Sequence, residues 1–124
     1  MTTTKTIHTD AIARLNSPVF PDGTYNIDTM EAVEFSTGYQ VTFCQEGDNY
    51  DPEDYEFLVS IFCELSSDGI VYAGKFGGTP EISFHFSDLN SAIRLAKKFN
   101  QVSIWSWKIM DGIITGGTGK RENA

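Results

Sequence analysis

Residues 70–99 read IVYAGKFGGTPEISFHFSDLNSAIRLAKKF, and this stretch sets the fold class. Two strands, 70–76 and 81–86, are joined by Gly77-Gly78-Thr79-Pro80. In the second, Ile82, Phe84 and Phe86 face one way and Glu81, Ser83 and His85 the other, the period of two that marks a strand with a buried face. The period then changes. From Ser87, read as a cap, Leu89, Ala92, Ile93, Ala96 and Phe99 recur at helical spacing. The two alanines allow close approach to a sheet, and Asn100 suits the left-handed exit.

The same alternation of hairpin and helix extends outward. Residues 51–66 predict the best helix. Asp51 is placed to cap it, Pro52 fits the first helical position, and Glu53 and Asp54 suit the positive end of the dipole. Its apolar stripe is Tyr55, Leu58, Val59, Phe62 and Leu65, with an exit at Ser67-Asp68-Gly69. Residues 31–45 read as a hairpin. Ala32, Val33 and Phe35 precede a turn at Gly38, and Tyr39, Val41 and Phe43 alternate with Gln40, Thr42 and Cys44. Thr9 or Asp10 starts a short helix through Leu15, stopped by Asn16-Ser17-Pro18, and 19–30 reads mainly as loop. Residues 102–109 predict a strand, Asp111-Gly112 a two-residue turn and 113–115 its return. The expected architecture is a single α+β domain over 1–124. An antiparallel sheet of hairpins carries two main helices on one face and a short N-terminal helix. Residues 1–6 and 117–124 are expected to fray. The expected core includes Val41, Phe43, Leu58, Phe62, Phe84, Ile93, Phe99 and Ile104.

A chain of 124 residues suits one domain. Hydrophobic residues at 40% and aromatics at 13% exclude wholesale disorder. No apolar run approaches the ~20 residues of a membrane span, and no export signal is expected. A cytoplasmic location with reduced cysteines is expected, and no membrane partner. Charge is unevenly laid out. Residues 15–74 carry twelve acids and no base, residues 75–124 seven bases and four acids, and residues 1–14 add +1, which closes at −8. The densest run is Glu46, Asp48, Asp51, Glu53, Asp54 and Glu56. Such a surface repels nucleic acid, whose phosphates need Lys and Arg, and attracts a basic protein surface. A solvated face kept for solubility is the bland alternative.

On the 51–66 helix, Glu53, Glu56, Ser60 and Glu64 fall away from the core stripe, and Glu53 to Glu64 spans about 16 Å. Carboxylates along a rod can imitate a phosphate backbone, although any amphipathic helix has a charged outer face. Phe57 and Ile61 sit on that polar side. They are expected to be covered by another part of the chain or by a second copy in a homodimer.

Other constellations are weaker. Cys44 and Cys63 match neither a zinc pair nor a redox CxxC motif. A Cys–His pair with His85, a metal site using His8 and His85, and calcium on Asp48, Asn49, Asp51, Glu53 and Asp54 each lack a matching pattern. Gly116-Gly117-Thr118-Gly119-Lys120 departs from the Walker loop: Ile114 stands where glycine is needed and Arg121 where Ser or Thr is needed. No cofactor, metal or catalytic residue is assigned. Trp105 and Trp107 share a strand face and read as core or interface rather than as a stacking platform for a ligand.

Residues 92–115 (AIRLAKKFNQVSIWSWKIMDGIIT) carry a resemblance at Ala96, Phe99, Asn100, Gln101, Ser103, Ile104 and Trp107. A helix ending near Asn-Gln, then a strand and a short return, resembles the C-terminal part of small accessory proteins of phages and mobile elements. It covers about a fifth of the chain. Several such proteins block host restriction or CRISPR systems, often with acidic surfaces. The resemblance implies a non-enzymatic inhibitor, DNA-mimic-like, occupying a basic nucleic-acid-binding surface of a host defence protein. The candidate contacts are Glu46, Asp48, Glu53, Glu56, Phe57, Ile61 and Glu64. The alternative is a small ligand-binding or enzymatic domain using the Gly-rich loops with His85 or Trp105 and Trp107. A deep polar pocket around those residues would mark it.

Overall fold

The structure, a computed structural model, describes residues 4–45 and 50–117. Ten elements follow in order: α1 (Thr4–Leu15), β1 (Gly23–Asn26), β2 (Ala32–Val33), β3 (Tyr39–Gln45), α2 (Pro52–Leu65), β4 (Val71–Phe76), β5 (Thr79–Phe86), α3 (Leu89–Lys98), β6 (Ser103–Ser106) and β7 (Asp111–Ile114). All strands join one antiparallel sheet in the order β2-β1-β4-β5-β3-β6-β7. The three helices pack on one face of it, so the α+β class expected from the pattern holds. No helix among the described residues is long and apolar enough to cross a membrane.

The centre of the molecule is β4–β5–β3. Gly77 and Gly78, at φ 58° and 81°, form the two-residue loop of the β4–β5 hairpin, which places Phe76 opposite Thr79. Such a primed turn needs positive φ at both positions, which glycine supplies without strain. On the helix side, Val41, Phe43, Ile82, Phe84 and Phe86 are almost fully buried. Phe43 is ringed by Tyr50, Tyr55, Phe62, Phe84 and Phe99 at centroid distances of 5.1–6.3 Å. A register shift between Thr42 and Cys44 turns both Phe43 and Cys44 into this core. An added residue in one strand does this because it breaks the strict alternation of faces. Of the expected core, Leu58, Ile93 and Phe99 pack against it half-buried, and the rest are buried.

Several local expectations are corrected. The 31–45 hairpin does not form. β2 pairs with β1, and β3 crosses the molecule to lie between β5 and β6. The turn that closes lies earlier, at 26–31. Asn26 Oδ1 accepts from the backbone N–H of Asp28 and Thr29 at 2.8 and 3.0 Å, and Met30 takes φ 60°. Asp111-Gly112 is not a turn. Both residues are paired in β7, opposite Ser106 and Trp105, and the chain reverses over 107–110 with Met110 at φ 54°. The expected strand 102–109 is therefore only Ser103–Ser106. Helix α1 begins at Thr4, so residues 4–6, expected to fray, form its first turn. Thr9 is no cap, since its hydroxyl donates to the Lys5 carbonyl one turn back at 2.7 Å. Asp88, not Ser87, caps α3, its carboxylate accepting from Ser91 N at 3.1 Å. Leu65 lies off the core at 55% exposure. Asn100 does take the left-handed exit, at φ 55°.

Candidate functional site: an acidic helix face and an aromatic cleft

The outer face of α2 is open to solvent. Glu53, Glu56, Ser60 and Glu64 are exposed, and Phe57 is 66% exposed, so no described part of the chain covers it. Ile61 is half-buried, and Leu65 continues the same side two turns on. Phe57, Ile61 and Leu65 recur every four residues and so make an apolar stripe beside the carboxylates. The Glu56 carboxylate accepts from Thr4 Oγ1 at 2.9 Å, joining the stripe to the first turn of α1. Glu46 and Asp48 lie outside the described residues, as does part of the oxygen cluster weighed for calcium.

Beneath that face, His8 and Tyr55 hold α1 against α2. The His8 Nδ1 and the Tyr55 hydroxyl are hydrogen-bonded at 2.5 Å, with the rings edge to face. Burial brings the His8 imidazole down to about 4, against the upward pull of Glu56 and Asp28.

The helix-free face of the sheet is not a bare polar surface. Gln40 is the hub of a buried network. Its Oε1 lies 3.1 Å from the donating Trp107 Nε1 and 3.3 Å from His85 Nδ1, and its Nε2 donates to Ser83 Oγ at 3.0 Å. Phe35, from the segment between β2 and β3, lies over His85 and also meets Tyr72 and Trp107. Burial lowers the His85 pKa, with Asp68 pulling it upward. His85 is thus a structural histidine locked under an aromatic ring. Cys44 sits in the core on the opposite face of the sheet, so it makes no pair with His85. Burial first, then Asp68, raises the Cys63 thiol above its ordinary range. Among the described residues no group of three His, Cys, Asp or Glu side chains could hold a metal.

Beside this network the sheet curls into a cleft of about 500 Å³, within the ordinary range of small-molecule sites. Phe76 and Trp105 belong to β4 and β6, which two strands separate, yet their ring centroids are 6.0 Å apart. Trp105 meets Trp107 at 6.3 Å and 87°. The tryptophans therefore line a cleft rather than the helix-side core. Among the described residues the Gly-rich loops offer no phosphate cradle. The Gly77 and Gly78 N–H groups already donate to the Asp22 carboxylate at 2.8 and 3.1 Å. Gly117 is pressed against the backbone of Asn100 and Gln101.

Sequence reasoning brought Glu53, Glu56, Phe57, Ile61 and Glu64 to one helix face, where the structure also has them. It missed Gln40, Phe35, Phe76 and Glu81. The signal was present in the second face of the strands, where Tyr72, Phe76, Trp105 and Trp107 are too aromatic for a solvated surface. Compared with protein-family models, curated proteins and solved structures, the chain matches none.

Proposed function

We propose that this protein is a non-enzymatic interaction protein whose helix α2 docks on a basic surface of a partner. The observation that carries the reading is Phe57, 66% exposed on a helix face whose charged groups are all carboxylates. An apolar anchor beside charges of one sign is what a specific interface needs. The ring supplies desolvation energy, and the carboxylates steer the encounter. The partner class that fits is a nucleic-acid-handling protein, because its groove is built to take a row of anions. The resemblance of residues 92–115 supports a mobile-element inhibitor acting on a host defence protein in the cytoplasm. The Trp105 cleft does not enter this reading.

The test is a pull-down from host lysate at low and high salt, using wild type and the triple variant Glu53→Lys, Glu56→Lys, Glu64→Lys. These positions lie off the core, so the fold should survive. Loss of a salt-sensitive partner in the variant is expected. Retention of that partner at low salt would overturn the reading.

A further inference from the structure

The cleft on the helix-free face lies on the other side of the sheet from α2 and has its own chemistry. Its floor comes from β3 and β5 through Gln40, Thr42 and Glu81, and its walls from the two curled edges of the sheet. Gly74 lies between Tyr72 and Phe76 on the strand face that looks this way, since Ala73 points into the core. A Cβ at Gly74 would be tight against the Gly23 carbonyl oxygen at 3.2 Å and in ordinary contact with Glu81 at 3.7 Å.

Three aromatic rings meet at one end. Phe76 meets Trp105 at 66°, and Trp105 meets Trp107 at 87°. Edge-to-face neighbours turn their negative π faces in different directions. Phe76 is 51% exposed and Trp105 half-buried, so their ring surface is open to an occupant, whereas Trp107 behind them is buried at 6% exposure.

The charges around the cleft have the same sign as those ring faces. Glu34, Glu81 and Asp22, the last with both oxygens already accepting from Gly77 and Gly78, line it against a single base, Lys75. The Lys75 ammonium turns to the carbonyl oxygens of Ser17 and Phe20, at 3.4 and 3.1 Å, and so points at the loop after α1. An anionic ligand would meet carboxylates and the negative faces of the rings. A bare metal ion would find no cluster of ligands among the described residues. A neutral apolar molecule would gain from burial alone. A small organic cation gains from burial, from the π faces and from the carboxylates together.

We infer that the Phe76–Trp105–Trp107 cleft is a binding site for a small organic cation of the quaternary or alkylated ammonium class. Its cationic head sits against the open rings of Trp105 and Phe76, and its body lies toward Val33 and Met110.

Both tryptophans of the chain line the cleft, so their fluorescence reports this site. Choline is the probe, and dimethylbutanol, its uncharged isostere with carbon in place of nitrogen, is the control. Choline is expected to change the emission saturably in the millimolar range, and the isostere to bind about tenfold more weakly, since shape and apolar area are matched and only the charge differs. Glu81→Gln should weaken choline and leave the isostere unchanged. Trp105→Leu, with its circular dichroism unaltered, should abolish the preference. Equal affinity for the two probes in the wild-type protein overturns the inference without recourse to any variant. So does the absence of a saturable response to choline.

Discussion

Phe35 lies flat on the imidazole of His85, with ring centroids 3.7 Å apart and planes 7° apart. The lid comes from an irregular segment and the base from a central strand, so the contact fastens that segment to the sheet. It also excludes water from the imidazole and holds its pKa below the ordinary value. Phe35→Ala should therefore raise the His85 pKa toward ~6.5. It should also cost roughly 1–3 kcal/mol of stability, as expected for a half-buried aromatic. Titration of the His85 ring protons by NMR checks the first effect and denaturant unfolding the second. An unchanged titration curve would show that Phe35 is not the barrier.

His8 makes stability depend on pH. Its pKa is about 4 in the folded chain and ~6.5 when unfolded, so between these values the unfolded state binds more protons. Stability from the neutral imidazole is complete above ~6.5 and is lost as pH falls toward about 4. The loss should be on the order of 3 kcal/mol, and His85, lowered in the same direction, adds to it. His8→Gln should flatten the decline in melting temperature across this window. A variant with the wild-type slope would assign the pH dependence elsewhere.

Two glycines with positive φ should respond differently to alanine. At Gly38, φ +90°, a methyl group would sit 2.5 Å from His85 ring atoms and 2.9 Å from the Phe86 carbonyl oxygen. At Gly77, φ +58°, nothing lies within 4 Å. Gly77→Ala should cost only the left-handed backbone term, ~1–2 kcal/mol. Gly38→Ala adds overpacking and should lose roughly 2–4 kcal/mol. Chemical denaturation of the pair decides it, and equal losses would refute the steric reading of Gly38.

Phe57 and Phe62 lie on one helix and should separate function from folding. Phe62 is fully buried among Phe43, Phe84, Phe86 and Phe99. Phe62→Ala should cost ~3–5 kcal/mol. Phe57→Ser should change stability by less than ~0.5 kcal/mol, as at ordinary surface positions. It should weaken partner capture, or self-association if a second copy covers the ring, and sedimentation alongside the pull-down distinguishes these. A large loss of stability in Phe57→Ser would mean the ring is already covered.

The elements with local signals were legible in the sequence. The Gly77-Gly78 hairpin, α2 and α3 each combine a period with a punctuating residue, and each forms close to where those marks stand. What the sequence hid is set at long range. Ala32 and Val33 pair with β1 and not with β3, because Asn26 and Met30 build a turn that local alternation does not reveal. Asp111-Gly112 carries a hairpin signature, but the Asp111 carboxylate accepts from Gly112 N within β7 and Met110 takes the left-handed position instead. On the α2 face, Phe57 stood out because it broke the polar stripe. The cleft did not, because Phe76 and Trp105 become neighbours only when the sheet curls.

The seam between β3 and β6 is thin. Two opposed residue pairs, Tyr39–Ser106 and Gln40–Trp105, form the ladder there, whereas β3 and β5 face each other along nearly their whole length. Trp107 N to the Gly38 carbonyl oxygen and the Gln101 amide to the Thr42 carbonyl oxygen pin its two ends. Opening this seam breaks fewer ladder pairs than opening β4–β5, though it also uncovers Ile104 and parts Trp107 from Gln40. Amides of the β6–β7 hairpin should therefore exchange with solvent through a breathing motion that leaves the rest folded, and those of β5 only when the whole chain unfolds. Trp105 would then ride on the arm that breathes, and Phe76 on the part that stays still.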